Sequence, residues 1–404
     1  MPRVLFISAV HPWQYTGLAE YLHRAKLAEV WQMTTPGHHQ TYAHKTINLL
    51  PFKPTGPIVG TPPNVLRWKL ERNTHIAKGI VDAVQQLPET IKPDLIVAHA
   101  MWGAPHMLYD TTDIPVVSYV EFPSYRAHGY DAAFPPDPSQ RLADPNMEML
   151  TYHQILRSAL TIVPSYHAKS MIPAPLRDKI EVQFEGFAPS EPLKPAGGTS
   201  QLTVGFAARD LSNPKGIDRF IRTVAFMVEQ KQADNLRFVA MGDPNASSYG
   251  YEAQHVQRQH DDKAMTYVEH MLRQFPAARC IAFVQKLPYE AYVQKLNEID
   301  IFAYPLRYGV ANWGFMEILT RGGCIIGSHD GFLPEILIDR FNGRLAADSP
   351  AAWSEVILEL ANDPAQRKSL AHAARQTGFA YRLDVVARRY LTLFRQAIER
   401  GNTY

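Results

Sequence analysis

The sequence predicts two doubly wound α/β domains in tandem. Three observations carry this. Short, continuous apolar runs recur along the chain, helical patterns lie between many of them, and a Pro-, Gly- and Ser-rich break divides them into two sets of similar size. Runs that are apolar at nearly every position suit strands buried on both faces, as in parallel sheets. Strands that alternate with helices build right-handed crossover units. At 404 residues the chain also exceeds what one core ordinarily organises.

The first set of predicted strands is VLFISAV (4–10), DLIVAHA (94–100), PVVSYVEF (115–122), LTIVPS (160–165) and IEVQFEG (180–186). The start, MPRVLFISAVHPW, has one basic residue and an apolar run of seven. That is too short for a signal-peptide core or a membrane span, so it reads as the first strand. The break APSEPLKPAGGTSQ (188–201) reads as a linker. The second set is LTVGFAAR (202–209), LRFVAMGD (236–243), CIAFVQKL (280–287), DIFAYPL (300–306) and GCIIGS (323–328). Between the first two of these, residues 216–230 put Ile217, Phe220, Ile221 and Val224 on one helical stripe. Residues 382–400 form a long amphipathic helix. The expected division is therefore 1–190, a linker at 191–201, and 202–381, with 382–404 packing back on the first domain.

Composition narrows the function. Charged residues are 20% and apolar residues 46% of the chain, which is globular. A net charge of +2 argues against nucleic acid as a bulk partner. Cys280 and Cys324 are far apart and flanked by apolar residues, so both are expected to be buried free thiols in a reducing cytosol. The 16 histidines show no metal-binding spacing, and no Asp-x-Asp pair is evident. No metal or cofactor is expected.

The stretch ANWGFMEILTRGGCIIGS (311–328) reads as a helix feeding a strand. Asn312 is its predicted N-cap, and Gly322–Gly323 its stop. Apolar residues cover most of its circumference, so it is buried. A stripe of Trp313, Gly314, Glu317, Thr320 and Arg321 should face a cleft or solvent. Gly314 leaves the first-turn amides approachable, which suits a phosphate. Glu317 is either part of that site or an i,i+4 surface pair with Arg321; the helix alone leaves both open.

Two segments resemble the family-4 glycosyltransferases of GT-B fold. One is FAARDLSNPKGIDRF (206–220). The other runs from 304 to 364 and carries Glu317, Gly323, Pro334–Glu335 and Asn342–Gly343. Segments 4–22, 99–110, 119–137 and 242–250 are similar to a bacterial subgroup of that family. The resemblance implies two Rossmann-like domains facing a central cleft and a retaining transfer from a nucleotide-diphosphate sugar to a hydroxyl acceptor. That acceptor would be a lipid-linked or growing bacterial surface glycan. One departure stands out: the earlier of the family's two glutamates, eight residues before Glu317, is Gly309 here.

On this resemblance Arg209 and Lys215 hold the donor diphosphate, helped by the amides of Trp313 and Gly314 beside the Asn312 cap. Glu317 takes the ribose hydroxyls, and the base lies near Val284, Gln285 and Lys286. Glu121 stands at a strand exit where family members often carry a His. It either activates the acceptor or stabilises positive charge on the sugar, unless Arg126 or another neighbour simply binds it. His11, Trp13, Gln14 and Tyr15 after the first strand, with His99 and Trp102 after another, are acceptor-side candidates; Trp13 and His99 have equally ordinary readings as structural residues. Arg67, Lys69, Arg72 and Lys78 either touch an anionic membrane surface or line a solvated helix face. The expected location is cytoplasmic, with peripheral membrane contact as an option. A degenerate nucleotide-sugar-binding partner subunit, or another enzyme of this architecture such as an epimerase, is the alternative function.

Overall fold

The computed structural model describes residues 1–59, 64–188, 190–193 and 201–402. The predicted linker thus lies mostly outside the described residues. The chain divides into two compact units. One is Met1–His128, Asp137–Ala188 and Tyr381–Tyr404; the other is Gly129–Pro136 and Pro189–Ala380. The short 129–136 segment belongs with the second unit, which the sequence reading did not anticipate.

The first unit holds a seven-stranded sheet of order β3-β2-β1-β4-β5-β6-β7, with every neighbouring pair parallel. Its strands are β1 (Arg3–Ile7), β2 (Glu29–Thr34), β3 (Leu49–Pro51), β4 (Leu95–His99), β5 (Val116–Tyr119), β6 (Leu160–Val163) and β7 (Ile180–Val182). The second unit holds β8 (Leu202–Asp210), β9 (Leu236–Asp243), β10 (Ala282–Val284), β11 (Ile301–Tyr304), β12 (Ile325–Ser328) and β13 (Arg344–Ala346). Their order is β10-β9-β8-β11-β12-β13, again parallel. Both orders reverse beside the first strand of the sheet, the switch point where doubly wound sheets bind ligands.

Alternation explains the layers. Val4 and Phe6 of β1 and Leu95 and Val97 of β4 join one core, together with the helix Thr16–Arg24 and the C-terminal helix Leu383–Arg400. Leu5, Ile7, Ile96 and Ala98 point the other way, into a core with the helix Val65–Gln85. Successive strand residues face opposite sides, so a sheet covered on both faces must be apolar throughout. In the second unit Ile217, Phe220, Ile221 and Val224 seat the Ile217–Glu229 helix on Val204 and Phe206.

Three strands escaped the sequence reading. β2 carries Glu29 and Gln32, and β3 and β13 have only three residues each. Cys324 is buried, but Cys280 is exposed, which corrects the expectation of two buried thiols. Its strand edge, Ala282 and Phe283, is exposed as well, so apolar flanks there did not mean burial.

Gly216 caps the Ile217–Glu229 helix in a tight turn against Pro305. Its φ is +85°, and an added Cβ would sit 1.8 Å from the Pro305 carbonyl oxygen. Gly216→Ala therefore meets both a left-handed backbone and a hard clash, and is expected to cost about 3 kcal/mol. A lowered urea midpoint with an unchanged m-value checks this.

Candidate active site

In the second unit, the site is built at the carboxyl ends of β8 and β11, which are adjacent in the sheet. Arg209 is exposed at the end of β8, and its Nε lies 3.3 Å from the buried Asp210 carboxylate. Lys215 is buried one loop later. The Arg209 guanidinium lies 5.8 Å and the Lys215 ammonium 5.1 Å from the centre of one ring, Tyr249. Sharing one ring keeps the two cations within about 11 Å of each other. The Arg209 guanidinium is pushed up from its ordinary pKa: burial opposes the shift, and the nearby Tyr249 and Asp210 outweigh it. Asp210 is held in turn by the hydroxyls of Ser212 (2.5 Å) and Ser248 (2.6 Å). Neither Tyr249 nor Asp210 was singled out from sequence; both lie within segments that were.

The Lys215 loop is stitched to the loop after β11. The amides of Arg307 and Tyr308 donate to the Pro214 carbonyl at 3.0 and 3.2 Å. That second loop leads to the Trp313–Arg321 helix, which begins as expected, with the Asn312 side chain accepting from the Phe315 amide at 3.3 Å. Gly322 closes it in a left-handed conformation (φ +80°). Trp313 is exposed. Gly314 is half-buried, and a Cβ there would meet the Asn312 side-chain oxygen at 3.3 Å.

The later part of this helix's polar stripe is covered, contrary to expectation, while Trp313 at its start is exposed. Glu317, Thr320 and Arg321 are all buried: Gly378 of the Pro364–Gly378 helix lies against Thr320, and Tyr289 bonds to both Glu317 and Arg321. Glu317 does pair with Arg321, but in the interior rather than on a surface. Its Oε1 accepts from the Tyr289 hydroxyl at 2.6 Å and from Arg321 Nε at 3.1 Å, while Arg321 also donates to the Glu191 carbonyl. No hydrogen bond to Glu317 Oε2 is seen among the described residues. Glu317→Gln keeps the shape but leaves Arg321 without its charge partner. It is expected to cost about 3 kcal/mol of stability and to weaken nucleoside diphosphate affinity. Calorimetric titration separates the two effects, and unchanged affinity would reduce Glu317 to a structural acid. Val284 is half-buried and Gln285 and Lys286 are exposed at the end of the edge strand β10.

In the first unit, three side chains meet at the carboxyl ends of β1, β4 and β5. Gln14 Nε2 donates to Glu121 Oε1 at 2.5 Å, and His99 Nε2 lies 3.8 Å from Glu121 Oε2. His99 Nδ1 accepts from the amides of Met101 (3.1 Å) and Trp102 (3.3 Å), so the proton of the neutral ring belongs on Nε2, facing the acid. Burial pushes the Glu121 carboxyl up, but His99, the Gln14 amide and His128 outweigh it and hold it below its ordinary range. Arg126, the alternative partner of Glu121, binds Glu148 instead.

The other acceptor-side candidates divide. Gln14 and Trp102 are half-buried; His11, Trp13, Tyr15 and His99 are buried. Tyr15 is a core residue: it is fully enclosed, its hydroxyl is 3.0 Å from that of Tyr390 on the C-terminal helix, and its ring packs 4.8 Å from Tyr119. Trp13 packs edge-on against it in the same core. His11 is bonded to Thr46 at 2.9 Å, and burial, then His38, lower its pKa to about 4. The four basic residues of the 65–85 helix are each engaged. Arg67 pairs with Glu71, Lys78 with Asp82 and Lys69 with Asp144, and Arg72 stacks on Trp102 at 4.6 Å. Among the described residues no group of three or more His, Cys, Asp or Glu side chains could hold a metal, and no helix is long and apolar enough to cross a membrane.

Two family profiles match the chain. "Glycosyl transferase family 4 group" covers residues 26–190, and "Glycosyl transferases group 1" covers 196–377. A D-inositol 3-phosphate glycosyltransferase of Corynebacterium urealyticum is 22% identical over 197 residues, 48% of this chain and 43% of that protein, so the match spans less than half of the relative. Among solved structures, sucrose-phosphate synthase from Thermosynechococcus elongatus superposes with a TM-score of 0.74 at 15% identity, covering 98% of this chain and 99% of the other. HepE from Anabaena, in complex with UDP and glucose, superposes with a TM-score of 0.66 at 13% identity, covering 97% and 99%. At such identities these likenesses speak to the fold, and the profiles to the family. The parallel sheets, the two consecutive profile matches and the full-length superpositions together make this chain a member of the family-4 glycosyltransferases with the GT-B fold.

Proposed function

We propose that the protein moves a sugar from a nucleoside-diphosphate sugar to a hydroxyl acceptor, with retention of anomeric configuration. The observation that supports this most is the pairing of Arg209 and Lys215 around Tyr249, on a loop tied by the Pro214 carbonyl to the one that precedes the 313–321 helix. Negative charge builds on the diphosphate as the glycosidic bond breaks. Fixed cations and helix-terminal amides there stabilise the transition state more than the ground state. In this reading the two cations serve the leaving group in place of a divalent metal. The departing phosphate takes the acceptor proton, and Glu317 Oε2 receives the ribose.

The depressed pKa of Glu121 favours one of its two candidate roles. A general base works best with a pKa near the operating pH, and this carboxyl is held below its ordinary range. It suits a fixed negative charge opposite the positive charge developing on the sugar ring, with Gln14 and His99 positioning it. The acceptor is a lipid-linked or growing surface glycan of a bacterium, and the site of action is the cytoplasm; this rests on the family resemblance of the first half. Gly309, where the family's earlier glutamate would stand, supports a second reading, a subunit that binds donor without transferring it.

A thermal-shift screen against UDP, GDP and ADP tests the donor reading. One nucleotide at a hundredfold excess over its Kd should add about 2.7 kcal/mol of stability, because only the folded protein binds it. If none of the three raises Tm, the donor assignment fails. Binding without transfer to any glycan acceptor would instead favour the second reading.

A further inference from the structure

The Lys215 loop of the second unit is held from a distant part of the chain. Asn213, two residues before Lys215, is 2% exposed. Its backbone amide donates to the Glu252 carboxylate at 3.1 Å, and its carbonyl accepts from the Gly216 amide at 2.9 Å. Its side-chain Nδ2 lies 3.0 Å from Asp131 Oδ2, 3.1 Å from the Tyr267 hydroxyl and 3.5 Å from Asp218 Oδ1. The two hydrogens of that nitrogen serve the two shorter contacts. Asp131 is thus the nearest acceptor of the side chain that anchors the turn before Lys215.

Asp131 lies in the 129–136 segment, which leaves the chain of the first unit after His128 and rejoins it at Asp137. Several contacts seat this segment in the second unit. The Phe134 ring packs edge-on against Tyr267 at 5.4 Å, and the Pro135 carbonyl is 2.6 Å from His255 Nε2. Gly129 (φ +100°) lies so close to the Tyr308 ring that a Cβ would come within 2.7 Å of it. The segment's own turn fixes the acid: Asp131 Oδ1 accepts from the Ala133 amide at 2.9 Å, and the Asp131 carbonyl from the Phe134 amide at 2.9 Å. A carboxylate oriented in this way presents Oδ2 to Asn213 already in place.

Neutralising Arg307 is not what this acid is needed for. Arg307 Nε is 4.0 Å from Asp131 Oδ2, beyond hydrogen-bond range, and Arg307 already pairs with Asp218. Outside its own turn, Asn213 is the hydrogen-bond partner of Asp131 among the described residues. We propose that Asp131 is a positioning residue for the donor diphosphate: through Asn213 it fixes the turn that carries Lys215, and so the place of the ammonium group. This rests on the donor reading above. The bond is to a neutral amide, so position 131 requires an acceptor oxygen rather than a charge.

Calorimetric titration of the full chain with UDP, GDP and ADP tests this. The diphosphate that saturates should bind about tenfold more weakly to Asp131→Ala. To Asp131→Asn, whose side-chain oxygen still accepts from Asn213, it should bind no more than about threefold more weakly. In a Lys215→Ala background the Asp131→Ala loss should shrink to less than about twofold, because an acid that acts through the lysine has nothing left to position. An acid that only stabilised the fold would lower affinity equally in both backgrounds. If Asp131→Ala does not fold, Asn213→Ala removes the other end of the same bond and takes its place in the cycle. The positioning role is overturned by an Asp131→Ala affinity within about twofold of wild type, by an Asp131→Asn loss as large as that of Asp131→Ala, or by an equal loss in both backgrounds. Lys215→Ala by itself separates the two readings. If it weakens the diphosphate and Asp131→Ala does not, only the positioning role falls. If it leaves affinity unchanged, or none of the three nucleotides gives heat, the donor reading falls and the positioning role with it.

Discussion

Lys215→Ala is expected to lower kcat by about 10² to 10³, the loss typical of removing one fixed donor to a developing negative charge. Lys215 is buried beside Tyr249 at the end of a loop held by Gly216 and by the Pro214 carbonyl. A preorganised ammonium in a sheltered position needs no solvent rearrangement as charge builds, so its contribution is concentrated in the transition state. Arg209, exposed and tied to Asp210, should matter less: Arg209→Ala is expected to cost about tenfold. Steady-state rates with the preferred nucleotide sugar check both. A Lys215→Ala rate within a factor of two of wild type, in protein with an unchanged Tm, would end the diphosphate assignment.

Glu121→Gln should lower kcat by about 10² while leaving nucleotide affinity intact. The amide keeps the Gln14 contact and removes the charge. The pH dependence separates its two roles. The folded-state pKa of Glu121 lies below its ordinary value, so the carboxylate is fully charged above that value and gains a proton only as pH falls through the depressed one. With a fixed charge, kcat stays flat through neutral pH and drops only on the far acid side, and the Gln variant loses that acid limb. A rate that climbs between pH 6 and 7 in wild type and not in Glu121→Gln would make the acid a general base after all. The same sign governs stability: what the Gln14 and His99 contacts add through this carboxylate is present above its ordinary pKa and is lost as pH falls through the depressed one.

Much of this was legible in the residues. The long apolar strands announced themselves because a parallel sheet is covered on both faces, so Val4 to Ile7 and Leu95 to Ala98 have no solvent side to disguise them. The 313–321 helix was readable to its caps, since Asn312 and Gly322 act through their own backbone neighbours. Short strands such as β3 and β13, and β2 with its buried Gln32, were not readable. Three residues carry no period of their own, and the equally short β7 and β10 were found only through the longer runs IEVQFEG and CIAFVQKL that contain them; a polar side chain inside a sheet reads as a break.

The sequence by itself determined the two parallel α/β sheets and the cations and acids at strand ends, through local pattern and short-range capping, and the family through the resemblance of segments 206–220 and 304–364. Tertiary structure alone decided which of them meet and which are enclosed. Tyr15 went to the core because Tyr390, hundreds of residues away, covers it. Glu317 and Arg321 pair in the interior because Tyr289, from an earlier helix, bonds to both, and a later helix lies against Thr320 beside them. Glu121 found Gln14 and His99 rather than Arg126, because three strands end side by side. Burial and partnership depend on what arrives from elsewhere in the chain, and no local pattern records that.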